Sequence, residues 1–139
     1  MLNYRMHKNI LIIGYGDIGS RLKSYLDNCN ISLYTLSRSA VEQDNVFSYQ
    51  WDWLSEKKLK LPITNFKRII FIPKPSEMSE IGYQQGFKNA AKNVVASLGD
   101  IDFESFIAVS STRVFGSKQI GILDEDTPVM PDCFRGLII

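Results

Sequence analysis

The stretch ILIIGYGDIGSRL, residues 10–22, decides the fold. Residues 9–13 form a run of leucine and β-branched side chains that reads as a strand, and Gly14, Gly16 and Gly19 follow it in the order G-x-G-x-x-G. When such a run leads into a helix, each glycine has its own task. Gly14 allows the sharp turn, Gly16 lets backbone approach a pyrophosphate, and Gly19 permits close packing of helix on strand. A helix starting near Asp17 aims its free N–H groups and the positive end of its dipole at phosphate oxygens. Gly14, Tyr15, Gly16, Asp17, Ile18 and Gly19 are therefore the candidate cofactor turn. The same spacing also occurs in turns that hold no ligand, so the rest of the chain must decide.

Outward from this unit, apolar β-type runs alternate with helical patterns. NILIIG, ISLYTLS, VFSYQW, RIIFIP and FIAVSS are the strand candidates, while DIGSRLKSYLDNC and SEIGYQQGFKNAAKNVVASLG carry apolar residues at helical spacing. The runs are continuous rather than alternating, which predicts strands covered on both faces. The expected class is α/β, a doubly wound parallel sheet of about five strands forming one domain over residues 1–139. RSAVEQDN, between the second and third strands, is too short for a good helix. SEKKLK reads as a charged, exposed helix face or turn.

The second strand ends in LSRS, about twenty residues after Gly19, where an acidic residue would bind the ribose 2′-hydroxyl of NAD. Ser37, Arg38 and Ser39 stand there instead. A guanidinium flanked by hydroxyls suits a 2′-phosphate, so NADP is favoured over NAD. Asp52, closing the third strand, either accepts from the adenine amino group, with the Trp53 backbone beside the ring, or N-caps a helix. Trp51 and Trp53 read as packing residues. Pro73 and Pro75 either make a rigid loop after the fourth strand, near the nicotinamide side, or simply end the strand, and Lys74 between them either approaches phosphate or is solvated.

Composition excludes several classes. Sixteen Lys and Arg against fifteen Asp and Glu give a formal charge of +1, leaving no field to attract nucleic acid or an anionic membrane. No apolar run approaches the roughly 20 residues of a bilayer span, and the N-terminus lacks a signal-peptide segment, so the chain reads as cytoplasmic. Cys29 and Cys133 form no C-x-x-C pair, which argues against a disulfide framework or a structural zinc, and no metal site is expected. His7, the one histidine, reads as an exposed bystander.

Several separated segments resemble one family, the extended short-chain dehydrogenases/reductases that include NAD(P)-dependent sugar-nucleotide epimerases and dehydratases, and particularly its atypical members. LIIGYGDIG is similar to their cofactor turn, with Ile13 where the usual motif has an additional glycine. FIPKPSEMSEIGYQQGFKNAAKNVVASL resembles the fourth strand, its loop and the helix bearing Y…G…N, here Tyr83, Gly86 and Asn89. FIAVSSTRVFG resembles the fifth strand with its S-S-x-x-V-Y-G ending, Phe115 standing in the tyrosine position, and LDEDTPVMPDCFRG resembles the loop that follows. The resemblance implies a Rossmann-type NAD(P)-binding domain, a dinucleotide cofactor, and a nucleotide-sugar or other small-molecule substrate. It implies a catalytic Ser/Thr at Ser111, with Thr112 as runner-up, and Arg113 beside it.

The family's Tyr, lowered in pKa by a Lys four residues later, handles the proton while nicotinamide takes the hydride. Here Arg135 or Phe134 falls on the Tyr position and Ile139 or Ile138 on the Lys position. None of these exchanges a proton near neutral pH. The catalytic set is thus incomplete, and the chain is expected to stop before the catalytic helix and substrate lobe. Three readings stay open: a cofactor-binding domain of a reductase-like enzyme, a non-enzymatic dinucleotide sensor or scaffold, and an inactive truncated remnant. The third implies exposed apolar surface near the fifth strand and hence self-association, a homo-oligomer, or low stability.

Overall fold

A computed structural model describes residues 8–55 and 58–139, so His7 lies outside the described residues. Five strands, β1 (Asn9–Ile13), β2 (Ser32–Ser37), β3 (Phe47–Gln50), β4 (Asn65–Phe71) and β5 (Asp102–Ala108), form one sheet in the order β3-β2-β1-β4-β5. Every pairing is parallel. The chain works outward from β1 to one edge, returns, and works outward to the other. This is the doubly wound Rossmann-type arrangement the sequence predicts.

Helix α1 (Asp17–Leu26) lies on one face of the sheet. On the other lies a continuous helical stretch made of α2 (Glu80–Tyr83), a π-helical segment (Gln84–Asn89) and α3 (Ala90–Ser97). β1 shows why both faces must be covered. Its successive side chains alternate, with Leu11 and Ile13 packing among Leu36, Phe66, Ile69, Phe71, Ala90 and Val94 on the α3 face. Ile10 and Ile12 pack with Leu33, Ile70, Leu22 and Leu26 on the α1 face. Each such burial stabilises by about 1.5–3 kcal/mol. Burying both faces of one strand explains its unbroken apolar run.

Three elements differ from the sequence expectation. β4 and β5 begin and end earlier than RIIFIP and FIAVSS suggest, so Ile72, Pro73, Ser110 and Ser111 lie beyond the strands. The polar starts NFKR and DFES belong to strands whose outer ends are solvated. SEKKLK is not a helix face: among its described residues, Ser55, Lys58, Leu59 and Lys60 are not helical. Leu59 and Leu61 pack against the α3-side core instead. No helix joins β2 to β3, as the shortness of RSAVEQDN predicts.

β5 pairs only with β4 among the described strands, and its Phe103 and Ile107 are each 41% exposed. Val95 on α3 is 63% exposed. This is the apolar surface on which the expectation of self-association rests. No helix among the described residues is long and apolar enough to cross a membrane.

Candidate functional site

In a parallel sheet of this winding, ligands bind beyond the carboxyl ends of the strands, where the winding direction reverses. Here that point lies between β1 and β4, and a cleft of about 700 Å3 opens there. The β1–α1 turn contributes Gly14, Tyr15, Gly16, Asp17 and Ile18. The end of β2 contributes Ser37, Arg38 and Ser39. Trp53 comes from the segment after β3, and Ile72, Pro73 and Lys74 from the segment after β4.

The three glycines of the turn differ in what surrounds them. Gly14 has φ +93°, and a Cβ there would stand 2.3 Å from the carbonyl oxygen of Ile72. A Cβ on Gly19 would approach Tyr15 Cδ2 to 2.9 Å and Ile12 Cγ2 to 3.5 Å, so it is the Tyr15 ring of the turn, more than the strand, that leaves no room for a side chain here. At Gly16 a Cβ would meet nothing within 4 Å. Protein packing therefore requires glycine at the first and third positions and leaves open space at the middle one, beside the cleft.

The N-terminus of α1 carries no side-chain cap. The N–H groups of Gly14 and Tyr15 both bond the Leu36 carbonyl, at 2.9 and 3.2 Å. Those of Gly16, Asp17, Ile18 and Gly19 have no hydrogen-bond partner among the described residues. Such donors, with the helix dipole behind them, make a seat for an anion. The Asp17 carboxylate is met by Arg21 at 3.2 Å on the exposed side of the same helix.

Arg38 lies over the Trp53 indole, its guanidinium carbon 5.9 Å from the ring centroid. Its carbonyl accepts from Gln50 Nε2 at 2.9 Å, and the Ser37 hydroxyl donates to the Ser39 carbonyl at 2.5 Å. Trp53 is in turn fixed by its own carbonyl, which accepts from Asn93 Nδ2 of α3 at 2.8 Å. Tyr15 is buried in the α1-side core and its hydroxyl donates to Gln43 Oε1. Burial pushes the phenol above its ordinary value; the Lys23 ammonium opposes this and the Asp27 carboxylate adds to it.

The remaining candidates lie elsewhere. Asp52 does not line the cleft and caps no helix; its carboxylate accepts from the Leu54 N–H at 3.0 Å in a turn, because no helix follows β3 among the described residues before β4. Ser111 and Thr112 lie beyond β5, outside the cleft lining. Ser111 stands at the N-cap of a short 3-10 turn (Thr112–Phe115), where its oxygen accepts from the Arg113 N–H at 3.3 Å. In the loop that follows, the Ser117 hydroxyl and N–H hold the Asp132 carboxyl below the usual carboxylate range. Phe134, Arg135 and Ile138 belong to α4 (Phe134–Ile138), where the Phe134 ring meets Tyr83 edge to face at 5.6 Å. No cluster of metal-ligating side chains occurs among the described residues.

Sequence reading missed one wall residue, Ile72, although it immediately follows β4 at the carboxyl edge of the sheet; Lys74, two residues on, also lines the cleft.

No protein-family model matches this chain, and no curated protein does. Solved structures do. A short-chain dehydrogenase/reductase superfamily protein from Agrobacterium tumefaciens with bound NAD matches with a TM-score of 0.74 at 14% identity, over 94% of this chain and 41% of that one. The likeness fixes the fold. MoeE5 in complex with UDP-glucose and NAD matches with a TM-score of 0.74 at 19% identity, over 94% of this chain and 45% of that one. The UDP-Glc/GlcNAc 4-epimerase of Campylobacter jejuni gives 0.73 and 16%, over 94% and 45%. This chain therefore spans less than half the length of each, and these neighbours are of the kind that the sequence resemblance names.

Proposed function

We propose that this chain binds a pyridine dinucleotide in the cleft at the carboxyl edge of the sheet, takes NADP(H) in preference to NAD(H), and represents the cofactor-binding part of an epimerase/dehydratase-like short-chain dehydrogenase/reductase. The observation that carries the reading is the middle glycine. No protein atom would crowd a side chain at Gly16, whereas a diphosphate approaching the free N–H groups of Gly16 to Gly19 would. Those N–H groups would hold the diphosphate, with Lys74 of the β4 loop also lining the cleft. Arg38 and Ser39 would take the adenosine ribose and its 2′-phosphate. When bound, the cofactor supplies hydride transfer, and a carbonyl or nucleotide-sugar substrate is the matching partner.

Arg38→Ala tests the choice of cofactor. A guanidinium on a phosphate is a charge-assisted contact, so its loss should weaken NADPH binding by about ten- to hundredfold and leave NADH within about twofold. Isothermal titration of both nucleotides against both proteins reads the difference. Absence of heat or thermal shift with either nucleotide at millimolar concentration in the parent protein would remove the reading altogether.

A second reading has its own observations. The Ser111 oxygen is engaged with the Arg113 N–H, and Arg135, Phe134, Ile138 and Ile139 carry no group able to exchange a proton near neutral pH. These favour a protein that senses a dinucleotide, or uses it as a scaffold, without chemistry. NADPH oxidation with a carbonyl compound or nucleotide-sugar, abolished by Ser111→Ala, would decide for the enzyme.

A further inference from the structure

The segment that carries Arg38, residues 38–46, crosses from β2 to β3 without a helix. A helix would order such a crossing through its own backbone hydrogen bonds. Here side chains do it. Next to Arg38, the Ser37 hydroxyl bonds the Ser39 carbonyl and Gln50 bonds the Arg38 carbonyl. The far limb is held differently: Val41 and Val46 lie on the α1-side core that contains Tyr15, and Gln43 accepts from the Tyr15 hydroxyl. Tyr15 itself belongs to the glycine turn, where its N–H bonds the Leu36 carbonyl. One residue thus joins the turn that faces the diphosphate to the loop that faces the ribose.

We propose that the Tyr15 hydroxyl and Gln43 form a latch holding the Arg38 loop in the conformation that reads a 2′-phosphate, which makes Tyr15 a positioning residue for the choice between NADP(H) and NAD(H). The proposal rests on the dinucleotide reading of the cleft. With the latch closed, the loop is ordered before the ligand arrives. With it open, NADPH must order the loop as it binds and loses affinity by that cost. NADH carries no 2′-phosphate for Arg38 to grip, so the state of the loop matters little to it.

The test is a double-mutant cycle on the full chain, with NADPH and NADH affinities measured for the parent, Tyr15→Phe, Gln43→Leu and the double variant. Phenylalanine keeps the buried ring and removes only the hydroxyl. Gln43 is exposed, so its replacement keeps the test open should Tyr15→Phe fold poorly. The expected result is a loss of NADPH affinity of about three- to tenfold in each single variant, the factor one hydrogen bond of ordinary strength supplies. NADH should be unchanged in Gln43→Leu and lose less than NADPH does in Tyr15→Phe, and for NADPH the double variant should be no weaker than either single one. A merely structural role would move both nucleotides together. Equal losses for NADPH and NADH, an unchanged ratio, or additive losses in the double variant would overturn the latch while leaving the dinucleotide reading standing. A parent protein that binds neither nucleotide would overturn that reading, and the latch with it.

Discussion

Gly14→Val is expected to leave little folded protein, whereas Gly16→Val, two residues away, should fold as the parent does and fail to bind NADPH. The first expectation follows from backbone geometry. Gly14 has φ +93°, a conformation that a β-branched residue adopts only under strain, and its Cβ would lie 2.3 Å from the Ile72 carbonyl oxygen and 3.2 Å from the Ile72 carbonyl carbon. The obstacle is main chain at the end of a central strand, so no rotamer relieves it. Strain of about 1–3 kcal/mol and overpacking of about 1–3 kcal/mol together reach the lower end of an ordinary domain's stability, about 5–15 kcal/mol.

At Gly16 the situation reverses. Its φ of −126° lies outside the left-handed region that favours glycine, and a Cβ would meet no protein atom within 4 Å. The valine would instead stand in the space from which a diphosphate must reach the N–H groups of the α1 terminus. Losing several charge-assisted hydrogen bonds at once should weaken NADPH by about a hundredfold or more. Thermal melting and NADPH titration of both variants read the two effects separately. NADPH binding to Gly16→Val with the parent affinity would remove the turn from the binding site.

How much of this was legible in the sequence depended on whether a feature had a period. β1, the glycine turn and α1 could be read because apolar continuity, the three glycines and the helical spacing of Leu22 and Leu26 each leave a local mark. Arg38 was readable from its distance to Gly19. The starts of β4 and β5 were not, because apolar runs mark only the part of a strand covered on both faces, and Asn65–Arg68 and Asp102–Ser105 lie where cover is incomplete. The Leu59 and Leu61 segment was misread because three lysines in SEKKLK outweighed two leucines that find the core without a helix. Contacts such as Tyr15 to Gln43, or Asn93 to the Trp53 carbonyl, span 28 and 40 residues and have no sequence signature at all.

The glycine in the Y…G…N pattern meets a physical requirement of its own, and it carries the second large expectation. A Cβ on Gly86 would lie 2.0 Å from the Lys74 carbonyl oxygen, 2.6 Å from Pro75 Cα and 2.8 Å from the Lys74 carbonyl carbon. The π-helical segment thus accepts the backbone of the β4 loop directly against its own, and Gly82 does the same for Glu77, whose carbonyl oxygen would be 2.2 Å from a Cβ. Hydrogen bonds from the Ser76 N–H to the Gly82 carbonyl, at 3.1 Å, and from the Gly82 N–H to Ser79 Oγ, at 3.0 Å, fasten the loop there. Pro73 and Lys74, at the start of this loop, form one wall of the cleft. Gly86→Ala must therefore push the loop away, at a cost of roughly 2–4 kcal/mol, and displace Lys74 with it. Gly99→Ala is the control, because its Cβ would meet only the Ala96 carbonyl oxygen at 3.8 Å, an ordinary contact that should change stability by no more than about 0.5 kcal/mol. Urea midpoints and NADPH titration should separate the two variants in both stability and affinity. If Gly86→Ala unfolded at the urea midpoint of Gly99→Ala, the loop would not be seated on the helix by that glycine, and Lys74 would owe its position at the cleft to something else.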